Sequence, residues 1–181
     1  MSKFSESVER VEPSATLRIS DLASELEAEG KDVVDLSVGE PDFTTPEHIR
    51  EEAKASLNRG ETGYTASAGI PDLREAIAHK LREDNDLRVD RDEVIVTPGA
   101  KQALFETIFS LVREGDEVVL LDPAWVSYEA MVKMAGGELK RVTLDASTGF
   151  TVGDVDLAEH VSDETRLVIV NTPSNPTGAV F

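Results

Sequence analysis

Three short segments hold residues able to bind or orient a ligand, and each follows a stretch that reads as a strand. In Val94-Ile-Val-Thr-Pro-Gly-Ala-Lys-Gln-Ala-Leu104 an apolar run passes through Gly99 into a helix beginning at about Ala100. The first N–H groups of a helix have no intrahelical acceptor and lie at the positive end of its dipole, and Gly99 lets a phosphate approach the main chain closely. An ordinary strand-to-helix turn accounts for the same residues, because one glycine is a far weaker signal than a multi-glycine fingerprint. Trp125, the sole tryptophan, ends Asp122-Pro-Ala-Trp125 at the carboxyl end of the next strand, where open α/β sheets place ligands. A single tryptophan also serves in a core or an interface. Asn175 sits in Ser174-Asn-Pro-Thr-Gly178, again just past a strand; its plain reading is a turn former held extended by the following Pro176, with Gly178 completing the turn.

Other chemistries are excluded by what the chain lacks. It contains no cysteine, which removes disulfides, thiolate metal sites and a cysteine nucleophile. His48, His79 and His160 stand singly, without metal-ligand spacing, and read as surface residues. GxGxxG, a P-loop GK[ST], GxSxG and HExxH are all absent, which removes the usual nucleotide, hydrolase and zinc readings. Acidic residues outnumber basic ones 36 to 18, for a formal charge of -18. That charge repels nucleic acid and anionic membrane, so neither is expected as a partner. With 40% apolar residues the acid belongs to a folded, self-repelling surface of the kind suited to a salt-rich cytoplasm. No stretch near Met1 resembles a signal peptide and no apolar run is long enough to span a bilayer, so a cytoplasmic location is expected.

The elements that must carry these segments follow from periodicity. Residues 1–17 read as an arm. Ile19, Leu22, Ala23 and Leu26 recur at helical spacing up to Gly30, and a short strand is expected from Val33 to Ser37. Thr45 is the expected cap of a helix with Pro46 at its first position and Ile49, Ala53 and Leu57 on one face. Pro71 opens another helix with Leu73, Ile77 and Leu81 as its stripe. Strands at Val94–Thr97, Glu117–Leu121, Leu139–Leu144 and Leu167–Val170 then alternate with helices at Lys101–Val112 and Tyr128–Ala135 and a helix-like stretch at Val155–Val161. Apolar strands alternating with helices argue for a largely parallel α/β sheet covered on both faces.

Four blocks in order, Leu36-Ser-Val-Gly-Glu-Pro-Asp-Phe43, Gly63-Tyr-Thr-Ala-Ser-Ala-Gly-Ile-Pro71, Thr97-Pro-Gly-Ala-Lys-Gln-Ala-Leu104 and Asn171-Thr-Pro-Ser-Asn-Pro-Thr-Gly-Ala-Val-Phe181, resemble the opening half of the class I aminotransferases. These are fold-type-I, pyridoxal 5'-phosphate (PLP) enzymes of the aspartate aminotransferase group. The resemblance implies a three-layer α/β/α large domain with a mostly parallel sheet, incomplete at its C-terminus, preceded by an N-terminal arm. On that basis residues 1–40 form the arm and a helix of the small domain, and residues 41–181 the first part of the PLP-binding large domain. It implies that Gly99, Ala100 and Lys101 hold the cofactor phosphate with backbone amides and that Trp125 stacks over the pyridine ring. Asn175 would donate to the cofactor's phenolic oxygen and reach the substrate α-carboxylate, which the Gly39 N–H would also meet. Tyr64 would cross a homodimer interface to the neighbouring subunit's PLP phosphate. The Lys101 side chain and Thr16 would face the distal end of the substrate, as in the subgroup that takes dicarboxylic amino acids.

The substrates implied are an amino acid and a 2-oxo acid of aspartate or aromatic type. PLP chemistry also requires a Schiff-base lysine, a carboxylate at the ring nitrogen and an arginine for the substrate carboxylate, and in the resembled family all three lie beyond the Asn-Pro-Thr-Gly block. None of Lys3, Lys31, Lys54, Lys80, Lys101, Lys133 and Lys140 stands in a block resembling the Schiff-base segment. The expectation is therefore of an N-terminal portion that is inactive by itself. A non-catalytic remnant of an interrupted gene and a related PLP lyase are the competing readings.

Overall fold

The computed structural model describes residues 3–153 and 155–181; Met1 and Ser2, which begin the expected arm, lie outside them. The chain divides into two compact units, residues 23–103 and residues 1–22 with 104–181. The arm contains a single helical turn, α1 (Glu6–Glu9), and α2 (Ala15–Ala28) starts before the first periodic residue.

The discontinuous unit is built on a parallel sheet of β1 (Glu117–Asp122), β2 (Glu138–Thr143) and β3 (Thr165–Ile169), in the order β2-β1-β3. Parallel neighbours need crossovers, and between β1 and β2 the crossover is a helix spanning Ser127–Ala135. Because successive strand residues point to opposite faces, β1 feeds two separate cores. Val118 and Leu120 join Ile108, Val112, Tyr128, Met131, Val132 and Ile169 on the helix-covered face. Val119 and Leu121 join Val142 and Leu144 on the other face, against Phe150, Val152, Val155 and Leu157. All four inner residues of β1 are buried, as expected of a central parallel strand. The register sets Val118 between Leu139 and Leu167, and Leu120 between Arg141 and Ile169. The expected helix at Val155–Val161 is a 3-10 turn at Leu157–His160, with Asp156 accepting from the Ala158 N–H.

The crossover helix ends at Gly136, whose φ of 88° is the left-handed value that ends helices. Gly137 then lies so close to Val112 that a Cβ on it would stand 2.5 Å from Val112 Cγ1. That close approach closes the corner between the helix and β2.

The continuous unit carries α3 (Glu47–Asn58) and α4 (Pro71–Asn85). Pro46, not Thr45, is the residue preceding the first turn of α3, and no side chain caps it. Ile49 and Leu57 of α3 are exposed. Pro71 opens α4 as expected, and Ile77 and Leu81 of the expected stripe are covered, but Leu73 is not. Leu73 is exposed while Arg74, Ile77, Ala78, Leu81 and Arg82 are covered. The cause is polar: Arg74 Nε donates to the Val94 carbonyl at 2.9 Å and Arg82 Nη1 to the Val89 carbonyl at 2.7 Å. Two arginines two turns apart thus hold the segment 89–94 along the helix.

Neither Val33–Ser37 nor Val94–Thr97 forms a strand among the described residues. Residues 33–38 take no regular structure, with a bend at Ser37 and Val34 and Leu36 almost fully exposed, and a strand exists only where a second chain segment supplies its ladder. Val96 finds a single such partner, donating to the Ala68 carbonyl at 2.9 Å. Gly69, with a φ of 103°, permits that approach, since a Cβ there would lie 2.7 Å from Val96 Cγ2.

Candidate functional site

In the unit 23–103, the Thr97–Lys101 segment has the form of an anion socket. Gly99 takes a φ of 89°, and a Cβ placed on it would meet no atom within 4 Å, so the space before the helix is open. Thr97 closes the turn from behind, its Oγ1 donating to the Gly99 carbonyl at 3.1 Å. The helix that follows, α5, spans Ala100–Leu111, beginning at the residue expected after the glycine turn, which places Ala100 and Lys101 in its first turn. Backbone donors of a first turn point along the axis toward whatever occupies the open side.

Gly39 and Tyr64 belong to the same unit. Gly39 is exposed, has an ordinary negative-side or extended φ and has open space around its Cβ position, so nothing within the chain demands glycine there. Tyr64 is fully exposed on the loop before Pro71, beside a groove lined by His48, Ile49, Arg59 and Glu61. Arg59 in that groove is held by Glu61 at 2.7 Å and Glu52 at 2.7 Å. Its hydrogen bonds, with one from Ser56, bring the Glu61 carboxyl down to about 2.

In the sheet-containing unit, Trp125 and Asn175 stand on the connections that leave the carboxyl ends of β1 and β3, which are hydrogen-bonded neighbours. A narrow cleft between these connections is lined by Pro123, Ala124, Tyr128, Asn171, Ser174 and Asn175. The loop of Asn175 is tightly tied. Its own N–H donates to Asn171 Oδ1 at 2.9 Å, the Gly178 N–H donates to the Ser174 carbonyl at 2.7 Å, and Ser174 N–H donates to the Ala179 carbonyl at 2.8 Å. These bonds fix the backbone of the loop around Asn175, which is itself exposed. Trp125 is half-buried, packed on the helix-side core and edge-on to Tyr128 with ring centroids 5.4 Å apart, a favoured aromatic geometry.

Electrostatically, the Trp125 connection is tied down by a cluster that the periodicity of the sequence does not reveal. Arg141 on β2 donates through Nη1 to Asp122 at 2.7 Å and through Nη2 to Glu129 at 2.5 Å. Lys133 reaches the other Glu129 oxygen at 2.8 Å. The Lys133 hydrogen bond first, and the Arg141 charge after it, hold the Glu129 carboxyl below its ordinary value against the opposing effect of burial. The i,i+4 spacing of Glu129 and Lys133 is readable from sequence; the Arg141 contacts need the strand register.

Gly99, Ala100, Lys101, Gly39 and Tyr64 are thus in one unit, and Trp125 and Asn175 in the other. Within the second the structure brings the two expected residues to one edge of one sheet. His48 and His79 are exposed and His160 half-buried. Among the described residues no cluster of potential metal ligands occurs, and no helix is long and apolar enough to cross a membrane.

A parallel sheet flanked by helices defines an α/β protein. The chain belongs to the aminotransferase class I and II family, whose model matches residues 31–181. It is 45% identical over 181 residues to the aspartate/prephenate aminotransferase of Thermus thermophilus, covering 100% of this chain and 47% of that relative. It is 44% identical over 179 residues to the aspartate aminotransferase of Geobacillus stearothermophilus, covering 46% of it. Among solved structures, the Thermus thermophilus aspartate aminotransferase with maleate superposes with a TM-score of 0.94 over 99% of this chain and 47% of its own. The chain spans about half the length of the curated relatives it matches.

Proposed function

We propose that these 181 residues supply the phosphate-binding and ring-binding part of a PLP-dependent aminotransferase that exchanges an amino group between an amino acid and a 2-oxo acid. The observation that carries this reading is the placement of Trp125 and Asn175 on adjacent connections at the carboxyl edge of one parallel sheet, in a chain of aminotransferase family. Residues 41–181 are assigned to the PLP-binding domain and residues 1–40 to the arm and a helix of the small domain.

The residues present suit the cofactor. The open, positive-φ Gly99 turn leading into α5 leaves the first-turn amides of Ala100 and Lys101 as the proposed holders of a dianionic phosphate, whereas the Gly99 N–H, expected to join them, donates instead to the Thr97 carbonyl at 2.8 Å. When bound, PLP supplies an electron sink for the bonds of the amino-acid α-carbon. The chain's own residues orient and polarise. Trp125 offers an aromatic surface to the ring. The Asn175 amide donates a hydrogen bond that favours the ionised form of an adjacent oxygen. The Gly39 N–H is proposed to meet a substrate carboxylate, the space around its Cβ position being open. Full exposure of Tyr64 suits a residue that serves a second subunit of a homodimer.

An aspartate or aromatic substrate is supported by the names of the relatives, among them an aspartate aminotransferase solved with maleate. A cytoplasmic, salt-tolerant setting agrees with the excess of acid. No lysine of these residues stands in a Schiff-base block, so the chain by itself is proposed to bind cofactor without turning over substrate.

Titration with PLP, followed by borohydride reduction and peptide mapping, tests the reading. Saturable quenching of Trp125 is expected in the native chain, and in Trp125→Ala the PLP affinity, followed by cofactor absorbance, should fall by about two- to tenfold from the worth of an aromatic contact. Stoichiometric labelling of one lysine together with turnover of an amino acid would overturn the proposed inactivity. Absence of saturable binding would sink the cofactor assignment.

A further inference from the structure

We propose that Arg141 is a positioning residue for Trp125, an ionic clasp that closes the β1-to-helix connection on which the tryptophan stands; its importance for the cofactor rests on the function proposed above. The connection contains residues 123–126, between the end of β1 at Asp122 and the start of the next helix, α6 (Ser127–Ala135), at Ser127. One guanidinium holds both ends. Nη1 takes Asp122, the residue before the connection, at 2.7 Å, and Nη2 takes Glu129 in the first turn of α6 at 2.5 Å.

The sheet dictates this reach. Arg141 pairs in register with Leu120, and Leu139, Leu120 and Asp122 share its alternation, so all point to the face that α6 covers. Arg141 is anchored in the middle of β2 (Glu138–Thr143), so its stem reaches the connection from a paired strand. Asp122, Ala124, Trp125, Glu129 and Arg141 line one shallow recess. A planar fork with two donors on separate nitrogens can satisfy two carboxylates at once, whereas an ammonium binds as a point charge. Lysine at position 141 therefore keeps one tie at a time and glutamine keeps neither charge contact. Lys133 neutralises Glu129 from the other side, so removal of Arg141 leaves Asp122 as the carboxylate that loses its cation.

The three side chains are between three-tenths and about two-fifths exposed, so the clasp acts as a partly screened ion pair. Such pairs shift a local equilibrium by about two- to fivefold. Trp125 is the sole tryptophan and reports on its own connection. In the cofactor-free chain, acrylamide quenching and near-ultraviolet circular dichroism are compared for the native protein, Arg141→Gln and Arg141→Lys, with thermal melts alongside. The expected result is a rise in quenching of about twofold or more in R141Q, a weakened tryptophan dichroism band, and R141K lying between the two. Equal quenching in R141Q and the native chain would overturn the clasp, as would R141K no closer to native than R141Q. If R141Q does not fold, Glu129→Ala carries the test, since it removes the α6 acceptor altogether, which an amide would keep; unchanged quenching there overturns the proposal equally. Failure of the cofactor assignment has a different signature: native Trp125 then gives no response to added PLP, whatever R141Q does without it.

Discussion

Gly137 does its work by having no side chain. A Cβ would stand 2.5 Å from Val112 Cγ1 and 3.2 Å from Val132 Cγ1, both buried, so neither can yield without disturbing the helix-side core. Gly137→Ala should destabilise the chain by about 1–3 kcal/mol, the usual cost of overpacking, measured by urea unfolding; an unchanged midpoint would mean that the corner relaxes freely. At this scale the sequence was most legible where a residue type has one special use. Gly99 before a helix, Trp125 after a strand and Asn175 before a proline were all singled out from local context; Gly99 directly precedes α5 and Trp125 follows β1, although the strand expected ahead of Gly99 does not form. Arginines were opaque. Arg74 replaces Leu73 on the covered stripe of α4 and Arg141 reaches two carboxylates because long stems span to acceptors distant in sequence, and no periodicity encodes such partners.

Elements were legible when their pairing partners lie within the same stretch of chain. The run from β1 through α6 to β2 agrees with its periodicity to within a residue at each end. Val33–Ser37 and Val94–Thr97 carry equally apolar sequence yet form no strand, because a ladder is a property of two segments and pattern describes only one. The amino-terminal edge of the sheet has its own fastening. Glu117 Oε2 accepts from Ser162 Oγ at 2.7 Å, Thr165 Oγ1 at 3.3 Å and Lys140 Nζ at 3.4 Å, joining β1 to β2 and to the start of β3. The Ser162 hydroxyl, followed by the Lys140 charge, holds the Glu117 carboxyl below its ordinary 4.5. A depressed carboxylate adds stability that is fully present above the unfolded-state value and is lost as pH falls toward the lower folded-state value. The difference in melting temperature between the native chain and Glu117→Gln should accordingly shrink from about pH 6 to about pH 3. A constant difference across that range would show that the hydroxyl contacts and not the charge secure the edge.

For the molecule as a whole, charge dominates. With 36 acidic and 18 basic residues, half of the carboxylates have no cation to match, and self-repulsion opposes the compact state. Most ion pairs among the described residues are exposed, such as Lys31 with Glu29 and Lys54 with Glu51, and exposed pairs contribute little. Screening should therefore relieve more repulsion than it removes attraction. The melting temperature is expected to rise as KCl is raised to about 1 M, where the Debye length is about 3 Å; a flat or falling curve would remove the salt-adapted reading.

The strand order β2-β1-β3 also carries a time sequence. Val118 meets Leu139 across a single helix, but meets Leu167 only after a much longer excursion of chain. Closing the longer loop adds only about 0.6 kcal/mol per doubling of length. Contacts made before that closure nevertheless cost less to collect, and nearby pairings form earlier. The first sheet contact to persist in a refolding chain is thus expected between β1 and β2, with β3 arriving on a surface already half made. Val142→Ala on β2 should then slow refolding, while Ile169→Ala on β3 should act chiefly by hastening unfolding. Stopped-flow measurements that found the reverse would mean that the last strand in sequence, and not the nearest, nucleates the sheet.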